Sequence, residues 1–296
     1  MASTATEMHL HDRDLIRRRS KVSPAQLGRW ITYGILTVIT LFYLYPFWWI
    51  LGGSLKTRGE FFSRPLALIP EGWVFQNYVD AWNKAQFGGY FFNTVYVCAG
   101  VVIFVNLFAG MAGFSFGRTN FPGKKLLQTI IIVTMFLPAG YTIIPIYDLM
   151  IKLHLTNTRE VLIVLGTAGN VGLYTFFYWG YFSTLPKELE EAAIVDGANF
   201  WRMFWNVMFP LARPMTATVT LMTFLNTWND FFTPLIFTMR KPELRTLAIG
   251  MYAFMGEHSR DWTPMLAATV ITLIPIILVF LFLQRYFVEA IAGAVK

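Results

Sequence analysis

The sequence predicts an all-α integral membrane protein with six transmembrane helices and both termini on the inner side. Three observations carry that expectation. Hydrophobic residues make up 55% of the 296 residues and charged residues only 14%, against about 45–50% and about 25% in an ordinary soluble domain. The mean hydropathy is +0.50, too high for a chain that must cover its surface with charge. The apolar residues also gather into six runs near the roughly 20 residues a spanning helix needs. They are Trp30–Leu51, Phe92–Phe116, Leu126–Leu149, Val161–Phe182, Met215–Phe237 and Met265–Leu283. The fourth and fifth carry Asn170, Asn226, Asn229 and Asp230, which blur their edges.

The first run is too long for the apolar part of a secretory leader, about 7–15 residues, and Gly52-Gly53-Ser54 leads straight into Lys56. It is expected to stay as an anchor. Orientation follows from the basic residues, which favour the inner side. The tail 1–29 holds Arg13, Arg17, Arg18, Arg19, Lys21 and Arg29, and the short 117–125 loop holds Arg118, Lys124 and Lys125. The net charge of +7 is therefore a sign of topology rather than of nucleic-acid binding. The expected order is a basic inner tail (1–29), a first span (30–52), an outer connection (53–91), a membrane core (92–284) and an inner tail (285–296).

The outer connection carries Trp73, Phe75, Tyr78 and Trp82. It reads either as an interfacial helix packed on the bundle or as a partner-docking surface. The inner loop 183–214 is more informative. Pro186 suits the first turn of a helix, and Glu188, Glu190 and Glu191 complement the positive end of its dipole. Asp196-Gly197 supplies a sharp turn. A second helix is expected through Phe200, Trp201, Phe204 and Trp205, ended or kinked at Pro210, with its aromatic face on the bundle. A linker between spans does not need this much patterned structure.

Glu191-Ala192-Ala193, then Asp196-Gly197-Ala198, Phe204, Pro210 and Pro214, resemble the EAA motif of ABC importer permeases. Tyr45-Pro46-Phe47-Trp48 with Ser54-Leu55-Lys56-Thr57, the Asn226–Asp230 stretch and the ending from Gln284 to Lys296 resemble carbohydrate-uptake members of that family. The likeness covers nearly the whole chain beyond the first 29 residues. Ala290 stands where the family usually has glycine. The resemblance implies a type I ABC importer permease fold in a bacterial or archaeal plasma membrane. It implies a second homologous permease subunit, two copies of a cytoplasmic ATPase subunit and an extracytoplasmic solute-binding protein. The ATPase-coupling residues it implies are Glu191, Ala192, Ala193, Asp196, Gly197, Ala198, Phe204 and Pro210, and Val288–Lys296 is expected to touch the ATPase pair as well.

The remaining chemistry is sparse. Arg118–Lys125 lacks the first glycine and final hydroxyl residue of a phosphate-cradling loop, so no cofactor is expected on this chain. ATP and magnesium would sit on the partner ATPase. His9, His11, His154 and His258 are scattered, and Cys98 lies alone in an apolar run. Intramembrane polar residues are costly and tend to face one another or a cavity. Asn226, Asn229 and Asp230, with Asn106 and Asn170, are candidates for a translocation path; interhelical hydrogen bonding is the competing reading. An ion-coupled secondary carrier is the alternative from another class, but it tends to show internal repeats, and none is visible. A membrane-embedded enzyme would need a convergent catalytic set, which is also absent from the sequence.

Overall fold

The computed structural model describes residues 24–83, 86–136, 142–254 and 261–294. Most of the basic tail, His9, His11, Gly256 and His258 lie outside them. Among the described residues the chain is helical and contains no strand. Apart from the short turns Phe209–Leu211 and Leu247–Gly250, the α-helices in chain order are α1 (Pro24–Ser54), α2 (Arg58–Ser63), α3 (Gln76–Asn83), α4 (Phe87–Arg118), α5 (Lys124–Thr134), α6 (Ile143–Lys152), α7 (Arg159–Thr184), α8 (Glu188–Val195), α9 (Phe200–Met203), α10 (Arg213–Trp228), α11 (Phe232–Phe237) and α12 (Trp262–Ala294). Four are long and apolar enough to cross a membrane: Gln26–Ser54, Phe87–Arg118, Arg159–Thr184 and Trp262–Tyr286.

The other two expected spans are broken. The third is divided between α5 and α6, and the fifth between α10 and α11. Proline alone does not cause the break in the fifth, because α1 runs through Pro46 and α12 through Pro275. At 229–234 the proline is joined by Asp230, whose carboxylate accepts the Thr233 amide at 3.1 Å. That amide no longer needs a helical carbonyl, and Pro234 has no N–H to offer one. The first span is longer than expected, starting at Pro24, and the ending 285–294 continues α12 as helix.

Packing centres on α4 and α7, the most extensive helix pair. Glycines let the two backbones approach. A Cβ on Gly113 would lie 2.4 Å from the Tyr178 Cβ and 2.8 Å from the Trp179 amide nitrogen. One on Gly166 would meet the Val101 side chain at 2.8 Å. Around this pair sits a core with Phe114, Phe182, Phe204 and Met208. A second core joins Phe87, Phe224, Trp228 and Phe254 to Ala267 and Ala268 of α12. By contrast α1 packs chiefly along α12, and Trp30, Val38 and Phe42 are left exposed for lipid or another subunit.

The connection 53–91 is folded rather than loose. Lys56, 1% exposed, donates its ammonium hydrogens to the carbonyls of Arg64 at 2.9 Å and Ala67 at 2.6 Å. The Asn77 amide donates to the carbonyls of Ser54 and Lys56. A buried charge needs acceptors, and these two carbonyls take two of the three ammonium hydrogens. Leu66, Ile69, Trp73 and Phe75 stay exposed on its outside.

Because the Gly113 neighbours are backbone and Cβ atoms, nothing there can move aside cheaply. Gly113→Val is expected to cost about 1–3 kcal/mol of stability by overpacking. The check is the melting temperature of the purified protein, with Gly172→Val, whose Cβ meets no atom closer than 3.9 Å, losing less.

Candidate functional site

Two places concentrate the predicted site residues, at opposite ends of the bundle. The first is the hairpin 183–214. Helix α7 ends at Thr184, and α8 begins at Glu188 with three acids in its first turn. Pro186 precedes the helix rather than opening it. The elbow is Gly197, at φ +76°, where a non-glycine residue is strained. Its amide donates to the Ile194 carbonyl at 2.9 Å, and the Ala198 amide to the Ala193 carbonyl at 2.9 Å. The Asn199 side chain then accepts the Arg202 amide, capping α9.

Beyond α9 the chain forms a π turn, Phe204–Met208. It was expected to be helix as far as Pro210. A proline ring collides with the carbonyl four residues back, here that of Asn206. The wider turn relieves this, and the Phe209 amide donates to the Phe204 carbonyl five residues back. Of the aromatic face, Phe204 is 1% exposed and packs with Phe200 on Phe114, at centroid distances of 5.5 and 5.2 Å. Trp201 and Trp205 remain about half exposed. Glu191, Ala192 and Asp196 are exposed, whereas Ala193 is buried inside the chain. Ile194 and Val195, at 61% and 86% exposure, extend the outward apolar surface.

One pair escaped the reading of the sequence. Arg118 closes α4, and its Nε lies 2.8 Å from Glu190 Oε1, with the side chains 6% and 19% exposed. The two are an ion pair by distance; their angle falls short of a hydrogen bond. The other end of the guanidinium donates to the carbonyls of Leu185 and Pro186. It thus ties the last turn of a spanning helix to the entry of the hairpin. On the exit side the Tyr181 hydroxyl donates to the Leu211 carbonyl at 3.0 Å. In the sequence Arg118 looked like one more inner-side charge, and no spacing rule links it to Glu190.

The second place is a cavity of about 170 Å³ at the far end of the bundle. It opens where α10 gives way to α11, and irregular backbone at membrane depth is tolerated where it lines a cavity. Of the five candidate path residues the structure brings together three here: Asn170, Asn226 and Asp230. Thr227 and Thr246 also line it, and their buried hydroxyls have no partner among the described residues. Each such unmet hydroxyl costs about 1–3 kcal/mol. Asn229 is exposed and its amide donates back to the Leu225 carbonyl. Asn106 sits deeper, in a knot between helices. It accepts from the Tyr178 hydroxyl at 2.8 Å and donates to Thr220 Oγ1 at 3.1 Å, while Tyr178 also reaches Thr216 Oγ1 at 2.9 Å. No group of His, Cys, Asp and Glu suited to a metal occurs among the described residues.

Residues 107–293 match the family described as binding-protein-dependent transport system inner membrane component. The chain is 34% identical to the diacetylchitobiose uptake system permease protein NgcG of Streptomyces coelicolor, over 90% of this chain and 87% of that one. It is 30% identical to the melibiose/raffinose/stachyose import permease protein MelC of Bacillus subtilis, over 88% and 95% of the two chains. Among solved structures, a chain of a bacterial ABC transporter for import of the acidic polysaccharide alginate shares the fold. Its TM-score is 0.77 at 23% identity, with 90% of this chain and 98% of that one covered. The fold is thus that of an ABC importer permease. The chain belongs to the family of binding-protein-dependent transport system inner membrane components. It is a multi-pass membrane permease subunit and not an enzyme in its own right.

Removing one member of a buried ion pair strands the other, typically at about 3–5 kcal/mol, whereas replacing both by apolar groups is often near neutral. Arg118→Met is therefore expected to destabilise the protein more than Arg118→Met with Glu190→Leu together. Thermal unfolding of the two variants beside Glu190→Leu alone, as a double-mutant cycle, measures it.

Proposed function

We propose that this chain is one membrane subunit of an ATP-driven importer that carries a sugar or related polyhydroxylated solute into the cytoplasm. The observation that carries the mechanism is the hairpin 183–214, anchored on both sides and exposed at its tip. Around it would assemble a second homologous permease subunit, two copies of a cytoplasmic ATPase subunit with ATP and magnesium, and an extracytoplasmic solute-binding protein. The names of the sugar-import relatives support the solute class. The similar structure solved with an alginate pentasaccharide-bound periplasmic protein supports the binding-protein partner. Membership of the family sets aside the ion-coupled carrier.

The arrangement we propose has six crossings, both termini inside, in a bacterial or archaeal plasma membrane. What supports it is the reach of the broken helices. Helices of 11 and 10 residues, α5 and α6, placed end to end extend about 30 Å at 1.5 Å per residue, the thickness of the hydrocarbon core. The division into 1–29, 30–52, 53–91, 92–284 and 285–296 follows the same topology.

In this mechanism ATP binding draws the ATPase subunits together and each docked hairpin follows as a lever, turning the spans from inward- to outward-facing. Glu191 offers its carboxylate to a cation or backbone amides of the ATPase, and Asp196 adds charge beside it. Ala192 permits close approach, while Ala193, Ala198 and Phe204 hold the lever to the core. Gly197 sets the elbow, and Pro210 with its π turn passes the motion into α10. That helix carries Asn226 in its last turn and ends just before Asn229 and Asp230, so its movement shifts the polar path beside Asn170; Asn106 fixes its register. Val288–Lys296 would touch the ATPase pair.

Gly197→Pro demands φ near −65° where the chain has +76°, and it deletes the amide bound to Ile194. In the reconstituted complex, solute uptake is expected to fall roughly tenfold or more while ATP hydrolysis continues. Gly197→Asn, which tolerates this conformation, is expected to retain uptake. Normal transport by Gly197→Pro would show the hairpin is not the coupling element.

A further inference from the structure

Among the described residues, the cavity between α7 and the break after α10 offers both donors and acceptors but one charged group, Asp230. One of the two Asn170 amide N–H groups donates to the Gly166 carbonyl at 2.7 Å, which leaves the other N–H and the carbonyl oxygen. One Asn226 amide N–H donates to the Tyr174 hydroxyl at 3.3 Å, which again leaves the other N–H and the carbonyl oxygen. Asp230 uses one oxygen on the Thr233 amide and meets no cation among the described residues. The Thr94 hydroxyl is satisfied already, accepting the Leu247 amide and donating to the Tyr90 carbonyl. No lysine, arginine or histidine among the described residues lines the cavity. Arg245 lines a separate hollow with Tyr90, Phe231 and Tyr252.

What is left free is both donors and acceptors: one N–H and the oxygen of each amide, one carboxylate oxygen, and the unpartnered Thr227 and Thr246 hydroxyls. A hydroxyl both donates and accepts, so this mixed set suits a hydroxyl-rich solute. A carboxylate or phosphate on the solute would bring a negative charge to Asp230, with no cation among the described residues lining the cavity to offset it. The volume, about 170 Å³, holds about five or six waters at ~30 Å³ each, enough for one sugar ring. Resting on the transport reading above, we infer that this cavity is a stopping place for one uncharged, hydroxyl-rich sugar ring, and that Asp230 is its specificity-determining residue, rejecting anionic sugars. This places a solute contact on this chain rather than wholly on a partner permease.

The test uses the whole purified complex in lipid nanodiscs, without binding protein, and two probes that differ only at C6: methyl glucoside and methyl glucuronide. Saturation-transfer NMR reads their binding. The wild type is expected to prefer the glucoside roughly tenfold, ~1.4 kcal/mol, and Asp230→Asn to bring the two close to parity. Equal binding to the wild type, a preference unchanged in Asp230→Asn, or no binding of either probe overturns the proposal. If Asp230→Asn does not assemble, Asn226→Asp serves: a second carboxylate is expected to deepen rejection of the glucuronide, and an unchanged ratio overturns the idea. ATP-dependent uptake with the binding protein present is measured in parallel. Loss of that uptake in the wild type would refute the transport reading, whereas a failed preference with uptake intact refutes the Asp230 assignment alone.

Discussion

The buried guanidinium of Arg118 is the contact on which the working geometry rests. It ends a 32-residue helix and holds the entry to the hairpin by two carbonyls and a carboxylate. A cation taken out of water needs this many partners to offset its lost hydration, so the entry to the hairpin has little freedom to drift. The Gly197 elbow and the Phe114–Phe200–Phe204 cluster fix the remainder. The hairpin is consequently a solid piece attached to α4, and a push on its exposed tip is delivered to the bundle instead of being absorbed in a loop.

From the hairpin a direct route to the polar cavity runs along α10. That helix starts three residues after Pro210 and ends beside Asp230. Midway it is latched to α4 and α7 by Asn106, Tyr178, Thr216 and Thr220. Buried polar networks of this kind specify one register because any slip leaves several groups unmet. The break after Trp228 then turns the end of the lever into the wall of a cavity. Polar residues that look expensive in a membrane become affordable where backbone and side chains face one another.

The sequence disclosed whatever is written in runs. Four long apolar stretches appear as continuous helices, and the hairpin was legible because acids, glycine, aromatics and prolines follow one another in a helix–turn–helix order. Contacts between distant residues were not legible. Arg118 and Glu190 are 72 positions apart with nothing to pair them, and Ala193 differs from Ala192 only in the direction its side chain faces. The broken fifth span had a usable signal, since Asp230 and Pro234 together supply a local cap and a missing donor. Apolar length concealed it. For Asn106, Asn170 and Asn229 the residue type gave no guide: only the helix faces decide which reaches the cavity, which the helix knot and which neither.

The central claim is that the hairpin and α10 move as one body. Pairwise distances between spin labels test it most directly, in the reconstituted complex without nucleotide and with bound ATP. One label goes on Val195 at the exposed tip, and its partner on Met222 of α10 or on Phe42 of α1. Unchanged Val195–Met222 distances with a shifted Val195–Phe42 distance are the predicted result. A Val195–Met222 distance that changes between the two states would contradict a rigid lever and require a hinge inside the π turn.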